Sequence, residues 1–568
     1  MHSLRGRLMA GALSAFFCLI STGAADAATT WANTSTQAIP LVQATPLGAV
    51  APATSMRITV ALKMQNAQRL ANLVAQENTI GSPYYGTAIT PAQFNATYAP
   101  SAASVSQVEN YLTQQGFSNV SVTPNNLFIS AQGTAAQVEA AFNTNLGWFS
   151  QNGTKVFVNT AAAQVPSALS GVVLSVLGLN NVSMAIPNAK RTAVTPCNVS
   201  QGSTCLRFEY NPSTYWKAYD VGQVPSAIST TIAVMAEGDV SVPLQDLRTF
   251  EKANGLPAVP VKVVQVGLAS PDTAGDTEWD IDTQYSTGMA GAVKTLYVYT
   301  TTSLTDQDTA LEFNKWTTDN LAKIANASFG ICEFFPYLDG TMVADDQVFL
   351  EAAAQGQTLF SSTGDTGSFC TVAPTNGVPA GAPFVGFPAT SPYVVAVGGT
   401  SLLTNADGSY NGEVAWYAGG GGISQFEYSP YWQQNIIPTN NANSPEIFRG
   451  IPDISMDADP NTGAIIYIAG QTSVYGGTSL ASPIAAGVYA RLQSAYGNKL
   501  GFASPRLYAK YPQTGTAPTP PSGLTELVDG FNDVLTGANG LYTSLPYYDY
   551  STGLGTVDVA QKKAVIPH

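Results

Sequence analysis

A serine near a predicted helix start is the first residue of this chain whose position suggests chemistry. Ser479 lies in the stretch YGGTSLASPIAAGVYARL, where Pro483 and the small and apolar residues after it predict a helix. Free backbone N–H groups and the helix dipole at such a start favour negative charge that develops in a reaction. The same serine could instead cap the helix and do nothing else. Other parts of the chain must decide between these roles.

No histidine lies inside the chain to activate this serine, because the two histidines are His2 and His568. Carboxylates are the alternative base. Glu278 and Asp282 are four residues apart in AGDTEWDIDTQYSTGMAG, and this spacing places both side chains on one face of a helix. A solvated acidic face explains such a pair as simply as a functional one does, although like charges at this spacing weaken a helix.

A third carboxylate and a second copy of the serine motif complete the candidates. Asp365 follows the predicted strand in LFSSTGDTGSFC, where it is either a turn residue or a group at the active edge of a parallel sheet. The pentapeptide GGTSL occurs at 398–402 as well as at 476–480. The first copy is followed by LTNADGSYNGEVAW, whose turn residues predict a strand that enters a hairpin. We therefore expect a structural role for the first copy.

The N-terminal segment MHSLRGRLMAGALSAFFCLISTGAADAATT has the features of a signal peptide. Two arginines precede an apolar run that ends in Ala25-Asp26-Ala27, so we expect a signal peptide over residues 1–27 and a secreted protein. A membrane anchor is less favoured, because the run is short and no later stretch has about 18 uninterrupted apolar residues. We expect no membrane contact of the mature chain.

Four cysteines remain after the signal peptide: Cys197, Cys205, Cys332 and Cys370. An even number in an oxidising compartment indicates two disulfides. The short spacing favours a pair between the first two, which leaves the last two to pair with each other. Zinc is not expected, because the chain has no CxxC pair and no internal histidine.

Charge divides the chain into two unlike parts. Residues 28–191 contain six Lys and Arg against three Asp and Glu, whereas residues 192–568 contain fifteen against thirty-three. A weakly basic first part therefore accompanies a strongly acidic second part. We expect no nucleic-acid partner for so acidic a body.

Periodicity predicts two structured parts. From about residue 57 to 180, the strand RITVALKMQ, three amphipathic helices and the hairpin VSVTPNNLFISAQG predict an α+β unit. A loop rich in Ala, Thr and Pro marks a boundary near Lys190 and Arg191. Beyond it, β-rich runs such as TIAVMAEG and YVVAVGGTSL alternate with helices, which predicts an α/β fold with a mostly parallel sheet.

These motifs together resemble those of the sedolisins, the serine-carboxyl peptidases, and are most similar to the pseudomonalisin and xanthomonalisin type. GGTSLASP is similar to the family's nucleophile motif, EWDIDTQ to its Glu-x-x-x-Asp helix, and SSTGDTG to its oxyanion-aspartate loop. EVAWYAGGGGISQFEYSPYWQ, RGIPDISMDADPNTG and NASFGICE are similar to further family segments. Upstream, SPYYGTAITPAQFNATYAPSAASVSQVENYL resembles the activation domain of the proenzymes. The resemblance implies an activation prodomain over 28–190 and a peptidase domain over 191–568.

The resemblance implies a subtilisin-like fold and a Ser-Glu-Asp triad. Ser479 would be the nucleophile, Glu278 the general base, and Asp282 the group that orients this base. Asp365 would donate a hydrogen bond to the oxyanion, for which it must carry a proton. A carboxylate can replace histidine as the base only in acid. We therefore expect an acid-acting endopeptidase that cleaves proteins and peptides.

The resemblance also implies one calcium ion in the stretch DGFNDVLTGANGLYTSLPYYDYSTGLG. Asp533 and Asp549 would bind it through their carboxylates, which suit a hard cation. The expected backbone ligands are Val534, Leu545 and Tyr547, the last two standing where the family usually has glycine.

Family prosegments imply a partner within the chain itself. We expect the basic first part to cap the acidic peptidase domain as an inhibitor and folding helper, and the protein to be a monomer. Acid would weaken this attraction and trigger cleavage near Lys190 and Arg191. Two other classes stay open: a subtilisin-like pseudoenzyme that binds a partner, and a secreted carbohydrate-binding or surface protein.

Overall fold

The computed structural model describes residues 30–41, 44–151, 153–187, 190–191, 208–370, 383–437, 447–512 and 523–568. The expected signal peptide and the expected disulfide between Cys197 and Cys205 lie outside these residues. Within the described ranges, no helix is long and apolar enough to cross a membrane.

The N-terminal part, residues 30–191, is an α+β unit. Its elements in chain order are β1 (Trp31–Asn33), β2 (Thr45–Ala49), β3 (Ser55–Leu62), α1 (Ala67–Asn78), α2 (Pro91–Thr97), α3 (Ala102–Gln114), β4 (Ser118–Val122), β5 (Phe128–Thr134), α4 (Ala135–Ala141), β6 (Leu146–Gln151), β7 (Thr154–Asn159), β8 (Gln164–Pro166), β9 (Val173–Leu177), β10 (Ile186–Pro187) and β11 (Lys190–Arg191). Strands β4, β5, β3 and β9 form an antiparallel sheet in that order. The predicted hairpin β4–β5 and the predicted helices α1, α3 and α4 are confirmed.

The C-terminal part, residues 208–568, is an α/β unit. Its helices are α5 (Pro212–Ala218), α6 (Ser241–Ala253), α7 (Asp276–Ala290), α8 (Asp306–Asp319), α9 (Phe334–Asp339), α10 (Thr341–Ala354), α11 (Thr478–Ala495), α12 (Ala503–Tyr508) and α13 (Val559–Val565). Its strands are β12 (Ala227–Glu237), β13 (Val261–Gln265), β14 (Val293–Thr301), β15 (Ile324–Ala327), β16 (Phe329–Cys332), β17 (Thr358–Ser362), β18 (Gly386–Phe387), β19 (Val394–Thr404), β20 (Tyr410–Ala415), β21 (Gly422–Tyr428), β22 (Phe448–Ile451), β23 (Ile454–Asp457), β24 (Ala464–Ile468), β25 (Gln471–Gly476), β26 (Thr525–Val528), β27 (Phe531–Val534) and β28 (Thr556–Val557).

A large, mostly parallel sheet forms the centre of the C-terminal part. Its strands lie in the order β13-β14-β12-β15-β17-β19-β23-β28-β27-β26, and all neighbours from β13 to β28 are parallel. Buried runs such as IAVMAE in β12 and TLFSS in β17 fit a sheet covered on both faces. Helices α7 and α11 pack together on one face, and α8 and α10 on the other. The predicted α/β class and parallel sheet are confirmed.

The N-terminal part docks on helices α8 and α10. Arg57 of β3 pairs with Asp308 of α8, the only ion pair between the two parts that the described residues contain. Asn125 donates a hydrogen bond to the Glu351 carboxylate of α10 at 2.7 Å. The docking face therefore lies across the sheet from α7 and α11.

The end of the N-terminal part leaves this docking face and reaches the carboxyl edge of the central sheet. Strand β10 pairs antiparallel with β16, so that Ile186 lies opposite Gly330. Strand β11 pairs antiparallel with β25, with Lys190 opposite Gly476. The junction between the two parts thus lies beside the strand that leads into α11.

A disulfide joins two segments at the same edge. Cys332 at the end of β16 bonds to Cys370, with 5.4 Å between the Cα atoms, and this predicted pair is confirmed. The bond ties a strand that contacts the junction to the segment that follows Asp365.

Candidate active site

Ser479 is placed by a sharp turn from strand to helix. Strand β25 ends at Gly476, and Gly477 has a φ of 107°, a conformation that glycine adopts and other residues rarely do. Helix α11 begins at Thr478, so Ser479 is its second residue and is fully buried. Its Oγ donates a hydrogen bond to the carbonyl oxygen of Ser328 at 3.2 Å.

Glu278 and Asp282 lie one turn apart in α7, as their spacing predicts, and both are buried. Helix α7 packs closely on α11, because Gly487 faces it: a Cβ atom there would lie 2.5 Å from the carbonyl oxygen of Ser286. This contact brings the helix of the two carboxyl groups against the helix of Ser479. A solvated acidic face is therefore excluded.

Ser328 connects Asp282 to the helix of Ser479. Its Oγ donates to Asp282 Oδ1 at 2.5 Å, and its carbonyl oxygen accepts the hydrogen bond from Ser479. Burial raises the pKa of Asp282 well above its usual range, although hydrogen bonds from Ser328 and Asn326 lower it. Burial thus favours the protonated form of the Asp282 carboxyl group, whereas the two hydrogen bonds favour its ionised form.

Asp365 lies just beyond β17 and is fixed to the residue before Ser479. Its Oδ1 accepts two hydrogen bonds from Thr478, one from the backbone N–H and one from Oγ1, each at 2.8 Å. The Gly364 N–H donates to the same Thr478 oxygen at 3.0 Å. Asp365 is thus held at the active edge of the sheet.

The described histidine lies far from these groups. The His568 ring stacks on Tyr496, which caps the C-terminal end of α11. An α-helix of 18 residues is about 27 Å long, and Ser479 lies at its other end. No imidazole in the described part of the chain can therefore act as the base.

The cleft beside Asp365 has a volume of about 320 Å³. One wall contains the disulfide between Cys332 and Cys370, and the other contains the segment 362–367. Residues of the N-terminal part also line this cleft, among them Met184 and Ile186. The N-terminal part thus reaches the same cleft as Asp365.

The five expected calcium ligands come together at one corner. The Tyr547 N–H donates to Asp533 Oδ2 at 2.6 Å, and the Leu545 N–H donates to Asp549 Oδ2 at 3.0 Å. Val534 follows Asp533 in β27. Tyr547 has a φ of 69°, which explains why a glycine would suit this position.

The electrostatics of this corner fit a cation. Burial raises the pKa of Asp533 to about 8 and that of Asp549 to about 6, and the charges of Asp549 and Glu526 further oppose the ionisation of Asp533. Asp533 Oδ1 has no hydrogen-bond partner among the described residues. No cluster of three or more His, Cys, Asp or Glu residues is found in the described ranges, so backbone oxygens would have to complete the site.

Sequence reasoning missed three residues of the site. Thr478 fixes Asp365, while Ser328 and Asn326 bond to Asp282. The sequence signal for Ser328 and Asn326 was the segment NASFGICE, whose similarity to a family segment does not assign a role to either residue. Thr478 belongs to the GGTSL motif, but the sequence does not indicate that it binds Asp365.

Comparison with known proteins matches both parts of the chain. Residues 43–182 match the activation domain of pro-kumamolisin, and residues 268–511 match the subtilase family of peptidases. Sedolisin of Pseudomonas sp. (strain 101) is 39% identical over 96% of this chain and 94% of its own length. Xanthomonalisin of Xanthomonas sp. (strain T-22) is 33% identical over 89% of this chain and 65% of its own length.

A solved sedolisin structure is also similar to this chain. The structure of Pseudomonas sedolisin with two molecules of pseudo-iodotyrostatin matches with a TM-score of 0.56 at 39% identity. The match covers 63% of this chain and 98% of the solved chain.

Proposed function

The chain belongs to the sedolisin family of serine peptidases and carries a propeptide activation domain, and from this premise we propose that it is a secreted, acid-acting serine-carboxyl endopeptidase. The observation that carries the proposal is the arrangement around Ser479. Thr478 binds Asp365 on one side of this serine, and Ser328 connects it to Asp282 on the other. The secretion proposal rests on the N-terminal signal sequence.

The proposed reaction is acyl transfer through Ser479. Glu278 takes the proton from Ser479 Oγ as this atom attacks the peptide carbonyl, and later returns it to the leaving amine. Asp282, on the same face of α7, orients Glu278 and shares its protonation equilibrium. The carboxyl group of Asp365 donates a hydrogen bond to the oxyanion.

The same groups explain an acid optimum. A carboxyl group donates a hydrogen bond only while it is protonated, so rising pH removes the Asp365 donor. A carboxylate base, in turn, is available at a pH where imidazole would be protonated. Activity is therefore expected at low pH and lost toward neutrality.

The experiment that tests the proposal compares wild type with Ser479→Ala at about pH 3 to 4. Cleavage of denatured protein by the wild type alone is the expected result. Equal activity in both proteins would contradict the mechanism. Inactivity of both would favour a pseudoenzyme or a carbohydrate-binding protein, and binding to immobilised polysaccharide would then separate these two.

We propose that the corner around Asp533 and Asp549 holds one calcium ion. The ion would bind these two carboxylates and the carbonyl oxygens of Val534, Leu545 and Tyr547, and its charge would stabilise the ionised carboxylates. Addition of EDTA should lower the midpoint of thermal unfolding, and excess calcium should restore it. An unchanged midpoint with EDTA at pH 6 would argue against the site.

We propose that the N-terminal part acts as prosegment, inhibitor and folding helper within a monomer. Residues of its junction line the cleft, and β10 pairs with β16 beside it, which supports inhibition by obstruction of the substrate site. The first cut is expected between Pro187 and Lys190, close to the boundary that the sequence predicts. N-terminal sequencing of the acid-treated protein tests this position.

The contacts at the docking face do not support release of the prosegment by acid. The pKa of Glu351, bonded to Asn125, is raised to about 8 by burial. A carboxyl group with a raised pKa stabilises the docked state fully in acid, and this contribution is lost as the pH rises through about 8. We propose that acid starts processing by enabling the chemistry at Ser479.

A further inference from the structure

A chain of buried hydrogen bonds connects the helix of Ser479 to Asp282. Ser482 lies on α11 one turn after the nucleophile, and its Oγ donates to Asn326 Oδ1 at 2.6 Å. Asn326 Nδ2 donates to Ser328 Oγ at 3.1 Å, and Ser328 Oγ donates to Asp282 Oδ1 at 2.5 Å. All these side chains are fully buried.

We infer that Ser482, Asn326 and Ser328 are positioning residues of the peptidase, which fix Asp282 relative to the nucleophile. We call these three residues the polar relay. The inference rests on the roles proposed above for Ser479 and Asp282, and it assigns none of the three relay residues to contact with the substrate.

The direction of the polar relay is set at Ser482. An amide group accepts hydrogen bonds only at its oxygen and donates only at its nitrogen. Because the Ser482 hydroxyl donates to Asn326 Oδ1, the Asn326 Nδ2 atom must point toward Ser328 and Asp282. Without Ser482 the amide could turn over, and an oxygen would then face the Asp282 carboxyl group.

Ser328 makes the polar relay specific to the reacting geometry. Its carbonyl oxygen holds Ser479 Oγ at 3.2 Å while its own Oγ lies 2.5 Å from Asp282 and 3.3 Å from the carbonyl oxygen of Ser479. Ser328 thus contacts both Ser479 and Asp282. It also precedes β16, the strand that pairs with the junction.

Other charged groups near α7 do not replace the polar relay. On the same helix Asp282 is accompanied by Asp276, by Glu278 and by Asp280, which bonds to Gln284. The helices and strands packed against α7 contribute the charged residues Glu237, Asp246, Arg248, Glu251, Lys252, Lys217, Lys294 and Arg491.

Arg491, the cation that α11 contributes, is already engaged elsewhere. The Arg491 guanidinium donates to the carbonyl oxygens of Met289 and Val224. Asp282 therefore receives its described hydrogen bonds from the polar relay alone.

The test compares Ser482→Ala with Ser286→Ala. Ser286 is also a fully buried serine, one turn after Asp282 on α7, and its Oγ has no hydrogen-bond partner in the described part of the chain. Both variants are matured in trans by immobilised wild-type enzyme, so that a slow variant need not process itself. Thermal unfolding at pH 4 verifies that each is folded.

We expect Ser482→Ala to lower kcat about tenfold with little change in KM, since one oriented buried hydrogen bond is lost. The acid limb of its pH–rate profile should also move to higher pH, because weaker donors to a carboxylate raise its pKa. Ser286→Ala should match wild type in kcat and in the position of the acid limb. A merely structural serine would reduce the folded fraction without moving the limb, and that outcome overturns the inference.

A double-mutant cycle tests whether Ser482 acts through Asn326. If it does, Asn326→Ala and the double variant should have the same kcat, because the second change removes nothing further. Additive losses would overturn the polar relay. If Asn326→Ala does not fold, Ser328→Ala with Ser482→Ala completes an equivalent cycle.

Failure of the inference can be separated from failure of the proposed function. Should Ser479→Ala retain full activity, the proposed reaction itself is wrong. Should Ser479→Ala be inactive while Ser482→Ala behaves like Ser286→Ala, only the polar relay is wrong.

Discussion

The residues GGTSL at 398–402 run through the middle of β19, whereas the same residues at 476–480 end β25 and begin α11. In the first copy, a Cβ atom on Gly398 would lie 2.6 Å from Pro452, so the strand is pressed against its neighbours. In the second copy, Gly477 turns the chain with a φ of 107°. Identical local sequence thus forms two different structures.

The residues that follow each copy account for the difference. YNGEVA after the first copy forms β20, which pairs antiparallel with β19 and keeps the pentapeptide extended. ASPIAAG after the second copy continues α11 in the middle of the core. The predicted strand and hairpin at the first copy are confirmed, although the pentapeptide lies inside the strand and not at its end.

Each copy uses its threonine to bind a carboxyl group, and the two carboxyl groups differ in surroundings. Thr400 Oγ1 donates to Glu413, which hydroxyl groups of Tyr219, Tyr410 and Thr556 also contact. Thr478 Oγ1 donates to Asp365, which lines the cleft. The same motif therefore supports a closed structural site in one place and an accessible site in the other.

The strongest test of the difference between the two GGTSL copies is to replace the serine of each copy in turn. Ser479→Ala should lower kcat by about 10⁴-fold or more, as expected for loss of a nucleophile. Ser401→Ala removes only a hydrogen bond to Asp459 and should leave kcat within about twofold, a small effect that surface substitutions usually have. Peptide hydrolysis at pH 4 measures both. A large loss in Ser401→Ala would contradict the distinction.

The next largest effect is expected from Asp365, the carboxyl group that the second copy binds. Asp365→Ala should lower kcat by about 10²- to 10³-fold, the usual cost of one oxyanion donor, and should also lower the unfolding free energy by about 1 to 3 kcal/mol, because buried Thr478 loses its hydrogen-bond partner. The measurement is kcat together with the unfolding midpoint. A stability loss without a kinetic effect would instead identify Asp365 as a turn residue.

Replacing the threonine of each copy should give smaller effects: one variant should lose activity and the other should lose stability. Thr478→Ala frees the Asp365 carboxyl group and should lower kcat about tenfold, as expected for one lost hydrogen bond to a reacting group. Thr400→Ala should leave kcat unchanged but cost about 1 to 3 kcal/mol of unfolding free energy, because Glu413 loses a buried partner. Denaturant titration and peptide hydrolysis at pH 4 measure the two quantities. Equal kinetic effects would remove the contrast between the copies.

The smallest expected effect is on the pH dependence of stability. Burial raises the pKa of Glu413, so its contribution to the unfolding free energy is fully present below about pH 4, the unfolded value, and is lost as the pH rises. Glu413→Gln cannot ionise and should match wild type at pH 4 but exceed it in thermal midpoint at pH 7. Parallel pH profiles for the two proteins would show that Glu413 stays neutral throughout.

Local pattern was enough to predict much of this molecule. Amphipathic spacing predicted α1 and α3, the four-residue spacing predicted the shared face of Glu278 and Asp282, and elimination predicted the disulfide between Cys332 and Cys370. These features depend on neighbours in sequence or on a small set of cysteines.

The contacts that complete the site could not be predicted in the same way. Ser328 is 46 residues from Asp282 and 151 from Ser479, and only the order of strands in the sheet brings them together. The same holds for Thr478 and Asp365, 113 residues apart. Docking of the N-terminal part likewise depends on an Arg57–Asp308 pair that no local pattern reveals.

The pairing of β10 with β16, which lines the cleft, has a kinetic consequence if the junction blocks substrate as proposed. A peptide segment tethered in its own binding site has an effective concentration in the millimolar range or above, which dilution of the protein does not change. Any peptide from outside must compete against this constant internal concentration. Under the proposed inhibition, the uncut protein is therefore equally inhibited at high and at low protein concentration.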